Sequence, residues 1–150
     1  MADSRHLMFD HPDDEPVLVL DEDQAWQLLE RTSHGRLVVV PGGRVEIFPF
    51  NFAVQDRTLV MRTAPGNKLA GMVINESVVV EADGILEDQA WSVVLRGQAQ
   101  LLESDAEVAR AEELNLKPWV PTMKDHYVRI VPEEVSGRHF AFGEHPEREY

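Results

Sequence analysis

AWSVVLRGQAQLL, residues 90–102, alternates with a period of two along its whole length. Trp91, Val93, Leu95, Gly97 and Ala99 share one face, and Ser92, Val94, Arg96 and Gln98 share the other. The pattern predicts one long β-strand, and Gly97 inside it predicts a bulge or the sharp bend of a barrel strand. Upstream, residues 44–54 (RVEIFPFNFAV) alternate the same way, with Phe48, Phe50 and Phe52 on one face and Val45, Ile47, Pro49 and Asn51 on the other. Further strands are predicted over 37–40, 58–63, 77–82 and 127–131, with a short edge strand over 136–142. Pro41-Gly42-Gly43 and Asp56-Arg57 supply turns. Asp21 with Gln24, and Ser104 with Glu107, are spaced as capping boxes that open short helices, the first presenting Trp26 and Leu29. A third helix of about two turns is predicted after residue 67, with Leu69, Met72 and Val73 inward. At least six strands joined mostly by hairpins, with a few covering helices, predict a mainly β fold: a small antiparallel barrel.

The chain has 150 residues, 43% of them apolar and 27% charged, the composition of one folded domain. Residues 1–16 read as a flexible arm, 17–142 as the single domain and 143–150 as a frayed tail. A net charge of −13 argues against nucleic-acid partners and against an anionic membrane surface, since both select cationic proteins. No cysteine is present, which removes disulfides, thiolate metal sites and cysteine nucleophiles. There is no apolar run of spanning length, and the first residues lack the apolar core of a signal peptide, so a soluble, cytoplasmic protein is expected. Six histidines show no ligand spacing with acids, so no metal site is expected, and no serine sits in a hydrolase elbow.

Against this acidic background, residues 35–75 hold Arg36, Arg44, Arg57, Arg62 and Lys68 but only Glu46 and Asp56, a local net of +3. Within them, RTAPGNK (62–68) runs from a strand end into a helix start. Free N–H groups in the first helical turn favour an anion, Arg62 offers a planar fork, Thr63 a hydroxyl and Lys68 a point charge. The same residues read equally well as solvated surface charges beside a strand terminator.

GRLVVV (35–40), EIFPFNF (46–52), LVMRTAPGNKLA (59–70), WSVVLRGQA (91–99) and KPWVP (117–121), in this order, resemble the pyridoxamine 5'-phosphate oxidase-like family in its short, actinobacterial-looking branch. The resemblance spans residues 20–142 and implies a six-stranded antiparallel split β-barrel that binds FMN between the subunits of a homodimer. It implies that Arg62, Thr63 and Lys68 hold the FMN phosphate, and that Pro49, Phe50, Asn51 and Phe52 line the isoalloxazine ring. For Phe50 and Phe52 plain core packing is the competing reading. Ser92 matches a hydrogen-bonding position near the cofactor, or is an ordinary outward serine. Trp119 either covers the ring from the partner subunit or plugs one barrel end. The vitamin B6 oxidases carry a C-terminal Arg–x–His element, whereas Arg138 and His139 are adjacent here, which argues against that activity. The function implied is an FMN-dependent oxidoreductase taking hydride from a nicotinamide-type donor, with no catalytic side chain named. A deazaflavin-dependent reductase and a non-catalytic flavin-binding module are the alternatives. A nicotinamide donor needs cations of its own, for which Arg36, Arg44 and Arg96 are candidates.

Overall fold

One bent stretch of chain closes the sheet. The computed structural model describes residues 6–63, 73–74, 76–117 and 126–143. In it, residues 44–54 divide into β3 (Glu46–Asn51) and β4 (Ala53–Gln55), with Phe52 between them. The remaining strands are β1 (Val17–Leu20), β2 (His34–Val39), β5 (Thr58–Thr63), β6 (Ser77–Ile85), β7 (Gln89–Leu101) and β8 (His126–Ala141). They form one antiparallel sheet in the order β3-β2-β6-β7-β8-β5-β4, with β1 also paired to β8. The two ends of this order are β3 and β4, the halves of a single alternating run. The sheet therefore curls until its ends meet at Phe52, whose N–H donates to the Ser33 carbonyl at 3.0 Å, and β3 touches β5 across the seam. This is the mainly β, curled antiparallel sheet expected from the sequence, consistent with a split barrel.

Two strand readings change. Residues 127–131 and 136–142 belong to one sixteen-residue strand, β8, which lies inside the sheet rather than at its edge. Pro132 is accommodated at a bulge. Arg96 pairs with Glu134 and Gly97 with Pro132, so β8 carries one extra residue there. A Cβ on Gly97 would lie 2.3 Å from the Val131 carbonyl oxygen, which is why this position lacks a side chain. β1, which follows Pro16, was not foreseen: Val-Leu-Val-Leu is too short and too uniformly apolar to alternate visibly.

Helix α1 (Glu22–Glu30) has the expected reciprocal capping box between Asp21 and Gln24, and it buries Trp26, Leu28 and Leu29 against β1, β4, β7 and β8. Helix α2 (Asp105–Glu112) is capped by Ser104 Oγ, which accepts the Glu107 N–H at 3.1 Å. It is tied over β5 by Arg110 to Asp56 and by Gln55 Nε2 donating to the Arg110 carbonyl. A second small core of Val60, Leu102, Ala111 and Tyr127 results, so β5 is buried on both faces. Val73 is buried in the main core, while Leu69 and Met72 of the predicted third helix lie outside the described residues. The described part of the predicted arm, residues 6–16, lies along the barrel, with Phe9 packed against the core. Among the described residues no helix is long and apolar enough to cross a membrane.

Candidate functional site

The bend at Phe52 sets the geometry of the site. Strand alternation sends Phe50 and Phe52 inward, where they are 4% and 2% exposed with ring centroids 5.3 Å apart. Both rings are core, so only the backbone of these residues is left to face anything outside. Pro49 and Asn51 point the other way, Pro49 exposed and Asn51 half-exposed. Pro49 pairs with Arg36 on β2 in an edge strand, the position where a missing N–H costs least. The Asn51 amide makes no hydrogen bond within the described residues.

β4 pairs with β5 from Gln55–Thr58 to Ala53–Val60. Before the bend the chain pairs with β2 instead, Asn51 with His34 and Phe50 with Gly35, while β3 still touches β5 across the seam. Arg62 Nη1 donates to the Leu116 carbonyl at 2.7 Å, so the segment after α2 steers the guanidinium. Thr63 leaves β5 on the opposite face, 4% exposed, and its Oγ1 has no hydrogen-bond partner among the described residues. Arg62 and Thr63 thus do not converge on one side of the strand. Both stand at the C-terminal end of β5. A buried hydroxyl lacking a partner and an outward guanidinium at that terminus fit a phosphate seated there. Lys68 and Trp119 lie outside the described residues. Ser92 is half-buried on the outer face of β7, three strands from Asn51 in the sheet order, with Asp83 and Arg138 as register neighbours.

The other candidate cations separate cleanly. Arg36 is held between Glu81 at 2.5 Å and Asp83 at 2.9 Å, and Arg44 pairs with Glu46 at 3.1 Å. Partial burial, with Asp83 alongside, holds the Glu81 carboxyl above its usual range despite the Arg36 guanidinium. Arg96 makes no ion pair among the described residues. It lines a cleft of about 680 Å³ between the end of β2, the start of β6 and the β7 bulge, whose rim also holds Glu76 and Glu133. No group of acids and histidines among the described residues could hold a metal ion.

The sequence profile of the pyridoxamine 5'-phosphate oxidase family matches residues 21–139. The chain belongs to that family. An uncharacterised protein of Mycobacterium tuberculosis from a similar sequence is 46% identical over 95 residues, covering 63% of this chain and 86% of the relative. The solved FAD-binding protein of Mycobacterium smegmatis is similar at 41% identity and a TM-score of 0.77, over 84% of this chain and all (100%) of that one. A solved Corynebacterium glutamicum protein, provisionally assigned as a pyridoxamine 5'-phosphate oxidase, is similar at 46% identity and a TM-score of 0.81, over 88% and 98% of the two chains. Family membership agrees with the barrel. What sequence reasoning could not supply was the bend at Phe52, where the run leaves β2 and takes up pairing with β5.

Proposed function

We propose that this chain binds a phosphorylated flavin at the barrel bend and passes hydride or electrons between a nicotinamide-type donor and a small acceptor. One observation carries the reading: the Thr63 hydroxyl, buried at the end of β5 next to Arg62, has no hydrogen-bond partner among the described residues. Arg62 and Thr63, with Lys68 further along, hold the phosphate, and Asn51 with the Pro49–Phe52 backbone offers donors and acceptors to the ring edge. FMN is the ligand that matches a single phosphate cradle. The FAD of the M. smegmatis protein carries the same half-molecule. A bound flavin supplies hydride and electron transfer itself, and the side chains orient it and exclude water. Arg96, on its open cleft, is the cation available to a second, phosphate-bearing ligand. Rapid mixing of the flavin-loaded protein with NADH and with NADPH is expected to bleach the oxidised-flavin absorption with at least one of them. If neither bleaches it, the redox half of the reading fails.

Two copies pair through the outer face of the sheet. The support is chemical: Ile47 and Val45 are 61% and 60% exposed on or beside the edge strand β3, where an apolar row is unusual for a free surface. Trp91, Phe50 and Phe52 contribute nothing to that face, since all three are buried in the core, and Phe48 is half-buried against it. Light scattering is expected to give twice the chain mass at micromolar concentration, and a monomer mass removes the pairing.

A further inference from the structure

His139 sits on β8 at 0% exposure, facing inward between its register neighbours Trp91 and Leu18, with the Phe9 ring edge-on at 5.4 Å. Its Nδ1 lies 2.5 Å from His11 Nε2, and its Nε2 lies 2.8 Å from Gln89 Oε1. The other nitrogen of His11, Nδ1, lies 2.6 Å from the Glu15 carbonyl. The Gln89 amide cannot be turned around. Its Oε1 accepts the Met8 N–H at 2.9 Å, and its Nε2 donates to the His6 carbonyl at 2.9 Å and to Asp88 Oδ1 at 3.2 Å.

Counting protons along this chain of contacts gives a definite result. Both ends are acceptor oxygens, the Glu15 carbonyl and Gln89 Oε1, so His11 Nδ1 and His139 Nε2 must each carry a proton. The contact between the two rings needs one more. Two neutral imidazoles carry only two protons between them, and the geometry uses three. We infer that His11 and His139 together hold one proton beyond those of neutral imidazoles, and that this shared proton latches residues 6–16 to the barrel. The site's ligand is the proton, and nothing in the flavin reading depends on it.

The surroundings allow one extra charge and resist two. Asp88, in the β6–β7 turn, is the carboxylate whose charge favours protonation of His139. The arm itself brings His6, Asp10, Asp13, Asp14 and Glu15, while Arg138 points to the opposite face of β8 and the β1 and β7 neighbours of His139 are uncharged. Burial, and then a charged His11, push the His139 ring below its ordinary value, which opposes the second proton. Below the ordinary histidine value of about 6.5, the unfolded chain binds more protons than the folded His139, so stability falls as pH drops.

Nitrogen-15 NMR of the histidine rings in the whole chain tests this without any substitution. His11 Nδ1 and His139 Nε2 are both expected to carry protons while a third is shared between His11 Nε2 and His139 Nδ1, one more than two neutral rings hold. His11→Ala, on the arm and outside the core, is expected to abolish the shared proton and speed exchange of the Met8 amide by about tenfold or more. Two neutral rings near pH 6.5, or Met8 exchange unchanged in His11→Ala, overturns the inference.

Discussion

Phe52→Ala is expected to cost about 3–5 kcal/mol of folding stability, the range for removing a buried aromatic ring. Phe52 is 2% exposed and sits where the chain leaves its pairing with β2 and takes up pairing with β5. Its ring packs on Phe50, and its N–H is already committed to the Ser33 carbonyl, so the backbone is held in place around whatever space truncation leaves. Collapse of the cavity would require the barrel seam itself to move. Urea unfolding should show a lower midpoint with an unchanged slope, because the loss is one of stability rather than of compactness. A loss under about 1 kcal/mol, in the range of ordinary surface changes, would mean that the seam is not held by this ring.

Arg62→Ala is expected to weaken flavin binding by about 1.5–3 kcal/mol, the range for a hydrogen bond to a charged group, or roughly 10- to 150-fold in Kd. The substitution also removes the bond to the Leu116 carbonyl, so the ligand-free protein should lose about 1 kcal/mol as well. The two effects separate experimentally, since thermal melting without ligand reads the second and titration of folded protein reads the first. An unchanged Kd alongside the stability loss would make Arg62 a structural strap for the segment after α2 and nothing more.

What could be read from the sequence was what depends on neighbours along the chain. The Asp21–Gln24 cap, the two-residue Asp56-Arg57 turn and the Gly97 bulge all announce themselves locally, and all three are present. The left-handed backbone at Asp56 and Arg57, with φ of 51° and 52°, is the geometry a two-residue hairpin requires. Gly97 and Pro132 each interrupt their strand. Each is an irregularity, but only the sheet shows that they face one another and cancel. The facts that matter for function are long-range. Arg36 reads as an available cation until β6 brings Glu81 and Asp83 beside it, and His11 and His139 stand 128 positions apart in the chain. The single run of residues 46–55 is likewise shared between β2 and β5 by a bend that periodicity does not encode.

The claim that the end of β5 cradles a flavin phosphate is tested most directly by titrating ligand-free protein with FMN and with riboflavin in parallel. The two ligands share the ring and differ in the phosphate alone. FMN is expected to bind at least about tenfold more tightly, the equivalent of one charge-assisted hydrogen bond, and Arg62→Ala should narrow that gap. Equal affinities for the two ligands, or no binding of either, would contradict it.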